Sequence, residues 1–231
     1  MPSATAWKPH LQPLKNVPEA PDNEEPHNSD GDPRIIPPEI LLQAYAQGIF
    51  PMAESRNDPE INWYSARHRG IIPLEEFHVS KKVQRLIRKK PCRWTVNKDF
   101  RGVMEGCADR ESTWISDRII ASFEALHELG HAHSVEIWQD DRLVAGVYGA
   151  SLRAAFFAES MFQRVPEMGK VALWHCHQVL VDGGFQLWDV QFHTPHLARF
   201  GCREIGTKEY KRLLAKALRR NAAFAGTEGV F

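Results

Sequence analysis

Residues 133–160 constrain this chain most, because they read as three strands in immediate succession. Residues 134–138 and 143–151 are alternating or continuously apolar and flank a polar turn at Gln139, Asp140 and Asp141, and 154–160 follow after a second short break. Links that short give an antiparallel meander, since a parallel pair needs a long crossover. A helical pattern over 169–181 ends at Gly183 and Gly184, and a strand over 187–191 follows. The chain closes on a helix with Tyr210, Leu213, Leu214, Ala217 and Leu218 on one face. Strands followed by helix, strand and helix predict an α+β lobe from about Thr113 onward.

The residues ahead of it are organised differently. Residues 1–34 combine prolines with Asp22, Glu24 and Glu25 and have too little apolar surface to offset ordering entropy, so a disordered tail is expected. Pro37 and Pro38 open a short helix bearing Ile40, Leu41 and Tyr45, and Gly48 ends it. Ser80 caps a helix to about Lys90 with Val79, Val83, Leu86 and Ile87 as its apolar stripe and Pro91 as its stop. Ser116 caps another over 117–129, with Ile119, Ile120, Phe123 and Leu126 inward and Gly130 as terminator. The division that follows is a tail (1–34), a small lobe with a basic helix (35–112) and a larger lobe (113–231).

Charge narrows the partners. Lys plus Arg number 29 and Asp plus Glu number 29, so no global field attracts a polyanion and any nucleic-acid site must be local. One such patch exists: between His78 and Arg93 stand seven Lys or Arg and no acid, with Lys81, Lys82, Arg85, Arg88 and Lys89 opposite the apolar stripe. Like charges at i and i+4 without an acid to offset them suit phosphate contacts better than a merely solvated face. Cys92, Cys107, Cys176 and Cys202 form no C-x-x-C, as in a reduced cytoplasmic protein. The opening residues hold no apolar run, so neither a signal peptide nor a membrane span is expected.

Three motifs bear on chemistry. His127, Glu128 and His131 spell H-E-x-x-H, the zinc motif of metalloproteases, but Gly130 breaks the helix the two imidazoles would have to share. The loop from Arg164 to Gly169 sits where an acetyl-CoA-dependent acetyltransferase would hold pyrophosphate at a helix N-terminus, yet Glu167 puts a negative charge there. Glu159 ends an otherwise apolar strand, and Asp189 and Gln191 point to one side of the next by period two. Two readings of these three stand side by side: they satisfy buried backbone groups at strand ends, or they converge beside Trp114, Phe156 and Trp188 as polar anchors of an apolar pocket.

At these residues the sequence resembles the leucyl/phenylalanyl-tRNA–protein transferase family. The likeness runs from about Pro37 to Tyr210 through residues 44–51, Trp63-Tyr64-Ser65, Thr113-Trp114-Ile115, residues 126–136, Glu159-Ser160-Met161-Phe162 and Asp189-Val190-Gln191. The resemblance implies an α+β fold with a C-terminal lobe like the GNAT acetyltransferases beside a smaller N-terminal α/β lobe. It implies transfer of leucine or phenylalanine, with methionine as a further donor, from aminoacyl-tRNA to the N-terminal Lys or Arg of a protein. That reaction belongs to the N-degron pathway of protein degradation and needs no cofactor or metal, because the tRNA ester is already activated. By the same resemblance Gln191 accepts a hydrogen bond from the attacking amine, Asp189 polarises or orients it, and Glu159 holds the amino acid or adenosine end of the donor; because an amide alone is too weak a base, Asp189 is the expected proton acceptor. Trp114 stacks on the terminal adenine, and Val147, Phe156, Cys176, Leu180 and Trp188 line the donor side-chain pocket. The chain departs from the family pattern at Met52 for Trp, at Arg153 and Ala158 for Gly, and at Gln163 for Ser, while Cys176 and Trp188 replace an aromatic and a smaller aliphatic. A monomer in the cytoplasm is expected, and a non-catalytic tRNA-binding module or a zinc metalloprotease are the alternatives.

Overall fold

A computed structural model of the chain describes residues 11–13, 35–89, 92–225 and 229–230; the rest of the expected tail lies outside the described residues. In chain order the elements are β1 (Leu11–Pro13), α1 (Pro38–Ala46), β2 (Phe50–Met52), β3 (Asn62–Ala66), β4 (His68–Ile71), α2 (Lys81–Lys89), β5 (Arg93–Val96) and α3 (Phe100–Ala108). There follow α4 (Asp117–Glu128), β6 (Ala132–Gln139), β7 (Arg142–Leu152), β8 (Ala155–Gln163), α5 (Met168–Asp182), β9 (Leu187–Gln191), α6 (Pro195–Ala198), β10 (Arg203–Gly206), α7 (Thr207–Ala217) and β11 (Gly229–Val230). The fold is α+β, as the alternation of patterns predicts.

Among the described residues an eight-stranded sheet runs in the order β10-β4-β9-β8-β7-β6-β5-β11, and β1, β3 and β2 make a small second sheet. The meander β6-β7-β8 is antiparallel throughout. The parallel pair is β8 with β9, and α5 is the crossover that joins them. Strands β4 and β5 belong to the same sheet, flanking β9 and β6, so the lobe division expected at residue 112 falls inside it. Strand periodicity of the short pieces 68–71 and 93–96 is too brief to reveal this membership.

Helices cover both faces. On one, Leu41 and Tyr45 of α1, Met104 of α3, Phe123 of α4 and Leu214 of α7 pack against Tyr148 and Phe157. On the other, Val83 and Ile87 of α2 and Leu173, Cys176 and Leu180 of α5 pack against Val147, Phe156 and Trp188. Each such Leu or Phe side chain contributes about 1.5–3 kcal/mol when fully buried. The helix ends are fixed locally. Ser116 Oγ accepts from the Ile119 amide at 3.4 Å, Asp99 Oδ1 from the Gly102 amide at 2.9 Å, and Ser80 Oγ from the Val83 amide at 3.3 Å. No helix among the described residues is long and apolar enough to cross a membrane.

Candidate active site

The pairing of β8 with β9 runs Ala155 to Leu187, Phe156 to Trp188 and Phe157 to Asp189, and both strands continue beyond it unpaired with each other. Two irregularities sit at this parting. On the β7 side the register steps from Tyr148–Ser160 to Gly149–Ala158, which leaves Glu159 as the extra residue of a β-bulge. At the end of β9, Gln191 has φ 55, a left-handed conformation costing on the order of 1–3 kcal/mol for a non-glycine residue. The outcome is contact between the two side chains: Gln191 Nε2 donates to Glu159 Oε1 at 2.9 Å, and the Tyr45 hydroxyl donates to the same oxygen at 2.7 Å.

Asp189 is fully buried and completely engaged. Arg69 Nε reaches its two oxygens at 2.9 and 3.0 Å and Nη2 forms an ion pair at 2.8 Å, the Tyr210 hydroxyl donates at 2.6 Å, and the Gln191 amide donates at 2.9 Å. Arg69 is itself buried between the rings of Phe50 and Tyr210, at 5.0 and 4.7 Å, and its Nη1 donates to Gly48 O at 2.9 Å. One carboxylate thus ties β4, β9, α7 and the α1–β2 turn together and holds the strained Gln191 backbone by its own N–H. Glu159 behaves differently. Burial pushes its carboxyl up to about 8, and the negative charge of Asp189 adds to this, against the opposing hydrogen bonds from Tyr45 and Gln191.

Val147, Phe156, Cys176, Leu180 and Trp188 all lie in one buried cluster between β7–β9 and α5. Because Trp188 and Asp189 are neighbours in a strand, this cluster and the polar trio occupy opposite faces of the sheet. Trp114 packs with the α1–α4 side instead, its carbonyl accepting from the Ala53 amide at 3.2 Å beside Met52. Trp114 on one side and Phe156 and Trp188 on the other therefore do not line a single pocket; they lie on opposite faces of the sheet.

A family model described as leucyl/phenylalanyl-tRNA protein transferase matches residues 71–215, and a model of that family's N-terminal domain matches residues 34–67. A leucyl/phenylalanyl-tRNA–protein transferase from Cereibacter sphaeroides strain KD131 is 53% identical over 83% of this chain and 90% of its own length. The chain belongs to the leucyl/phenylalanyl-tRNA–protein transferase family. A second transferase, from Ruegeria pomeroyi, is 51% identical over 82% of this chain and 90% of its own length. Among solved structures, a GCN5-related N-acetyltransferase-like protein from Streptococcus suis aligns at TM-score 0.37 with 16% identity, over 72% of this chain and 63% of that one.

In this transferase the H-E-x-x-H string does not build a metal site. Helix α4 ends at Glu128, Gly130 has φ 76, His127 Nδ1 lies 2.7 Å from Ala132 O, and His131 Nδ1 lies 3.2 Å from Ser151 O, so the rings serve separate carbonyls. Glu167, the N-cap of α5, makes no capping hydrogen bond with its side chain but pairs with Lys170 at 2.7 Å and Lys82 at 3.6 Å, while the Gly169 amide donates to Gln163 Oε1 at 3.0 Å, so the protein's own carboxylate stands beside that helix start. Lys81, Lys82, Arg85 and Arg88 are exposed along α2, whereas the Lys89 side chain lies outside the described residues.

Sequence reasoning missed Arg69, Tyr45 and Tyr210 as neighbours of the trio. A usable signal existed for Arg69, since a cation heading the apolar run Gly70-Ile71-Ile72 needs a buried counter-charge, and Asp189 stands in an equally apolar strand. Gly70 pairs with Gln191, and a Cβ there would lie 2.4 Å from the Phe192 carbonyl carbon and 2.6 Å from the His193 nitrogen. Gly70→Ala is expected to cost about 1–3 kcal/mol in thermal unfolding and to lower transferase activity further than that loss explains, by displacing the chain just after Gln191.

Proposed function

We propose that the chain moves leucine or phenylalanine, and methionine as a further donor, from aminoacyl-tRNA to the α-amino group of a protein beginning with Lys or Arg. It acts in the cytoplasm as a monomer and marks its acceptors for N-degron degradation. The observation that carries this reading is the Glu159–Gln191 hydrogen bond at the parting of β8 and β9, between an apolar cluster suited to a donor side chain and the face bearing Trp114. The family membership supplies the reaction class.

With Nε2 turned to Glu159, the Oε1 atom of Gln191 is left to accept a hydrogen bond from the incoming amine. The amine lone pair attacks the ester carbonyl carbon and the carbonyl oxygen becomes an oxyanion. Glu159, as carboxylate, takes the proton released from the amine nitrogen. The bond to the ribose oxygen of the terminal adenosine then breaks, and Glu159 returns the proton to that oxygen, leaving a peptide bond. A group titrating near 8 suits both halves of this exchange. Asp189, whose oxygens are all engaged, is in this reading a positioning residue that fixes Gln191, and the proton-accepting role first expected of it passes to Glu159. The exposed cations of α2 contact tRNA phosphates.

The test is transfer of labelled amino acids from a panel of charged tRNAs to peptides differing only in their first residue. Incorporation from Leu-, Phe- and Met-tRNA into Lys- and Arg-started peptides is expected, with none into acetylated ones. Absence of transfer from every donor to every acceptor would end this reading.

A further inference from the structure

Helix α7 turns one face to the site and the other to solvent. Tyr210, Leu214 and Ala217 are buried, and the Tyr210 hydroxyl touches Asp189. Outward point Lys208, Lys211, Arg212 and Lys216, followed by Arg219 and Arg220 in the next turn, all exposed. Glu209 is the one acid between Thr207 and Arg220. None of the six cations pairs with a carboxylate among the described residues.

The fold gives no reason for this density. Lys208 with Arg212 and Arg212 with Lys216 are like charges at i and i+4 of the helix, which repel. Lys208 also stands in the first turn, where the helix dipole disfavours a cation. In a chain whose charges balance overall at 29 and 29, with these six included, such a local concentration suits an external anion. Position supplies a candidate. Thr207 Oγ1 donates to Arg67 O at 3.0 Å at the start of the helix, and Tyr210 reaches Asp189 one turn later. At about 1.5 Å of rise per residue, Lys208, Lys211, Arg212 and Lys216 all stand within roughly 10 Å of Tyr210 along the helix axis. Helix α2 packs in the cluster on the opposite face of the sheet, so the two basic surfaces lie on opposite faces.

We propose that the exposed face of α7 is a second phosphate-contact surface, engaging the tRNA strand close to the aminoacyl ester while α2 engages it from the other side. The proposal rests on the transferase reading above. An RNA backbone fits better than an acidic protein segment, because the stripe is regular, leads to the reacting end and lacks apolar anchors.

The experiment compares the unaltered chain with a Lys211→Gln, Arg212→Gln, Lys216→Gln triple variant, using two donors: full-length Leu-tRNA, and leucine esterified to adenosine alone. With Leu-tRNA, KM should rise by about tenfold at roughly 0.15 M salt with kcat retained, and the slope of log KM against log salt should fall by about 2–3, near 0.9 for each phosphate left without its cation. With the adenosine ester, which has no stem phosphates, the rate should be unchanged. A charge-preserving Lys211→Arg, Arg212→Lys, Lys216→Arg variant should keep the original KM. The proposal is overturned by an unchanged KM and salt slope, by an equal loss with the adenosine ester, or by an effect on the KM of the acceptor protein instead. Failure of the transferase reading itself looks different, since the unaltered chain would then use neither donor.

Discussion

Asp189→Ala is expected to lower the unfolding free energy by about 3–5 kcal/mol and to abolish transfer. The loss does not measure the worth of the ion pair. It measures the cost of what is left behind, a guanidinium that is 1% exposed, held between Phe50 and Tyr210 with only the Gly48 carbonyl as a remaining hydrogen-bond partner. The Tyr210 hydroxyl and the Gln191 amide lose their acceptor in the same step. Domains of this kind are stable by only about 5–15 kcal/mol, so the urea midpoint should move visibly. Removing both charges separates the two consequences. Arg69→Met with Asp189→Leu leaves no unpaired charge and should cost less than Asp189→Ala alone, yet transfer should stay lost because nothing then holds Gln191 at φ 55. If Asp189→Ala unfolds at the same urea concentration as the unaltered chain, the buried pair does not organise this end of the sheet.

The contrast between what was legible and what was not follows the range of the interactions. The bounds of β9 and the caps at Ser80 and Ser116 depend on residues a few positions apart, and the expected and observed elements agree there. Helix α3 escaped because Phe100–Ala108 contains two glycines and reads as a poor helix former. The reasons for those glycines are tertiary: a Cβ at Gly106 would meet the Phe162 ring at 2.8 Å, and one at Gly102 would meet the Asp99 carboxyl that caps the helix at 2.2 Å. In the site, period two correctly put Asp189 and Gln191 on one face, but the partners that decide their chemistry come from 21 to 120 positions away. The bulge at Glu159 is invisible to periodicity for the same reason, since it exists only as a mismatch with β7.

Glu159→Gln should slow transfer by about 10²-fold or more while making the protein more stable at pH 8, two effects of opposite sign. Burial raises this carboxyl to about 8 from an ordinary 4.5, so between those values the folded chain keeps a proton that the unfolded chain has released. Stability contributed by the protonated group is therefore full below about 4.5 and is lost progressively as pH rises toward 8. Glutamine cannot ionise, so the variant's advantage in thermal unfolding should be absent near pH 4.5 and grow to about pH 8. Activity follows another rule. Attack requires Glu159 ionised and the acceptor's α-ammonium, with its pKa of about 7.7–8.0, deprotonated, so two protons must leave before reaction. Below pH 7 the logarithm of kcat/KM for the acceptor should climb with a slope approaching 2 in the unaltered chain and 1 in Glu159→Gln, where only the amine still titrates. A more stable variant that turns over slowly cannot owe its loss to unfolding. A slope of 1 in both proteins, or transfer within about threefold of normal in the variant, would remove Glu159 from the proton's path and leave Gln191 to orient an amine that sheds its proton to water.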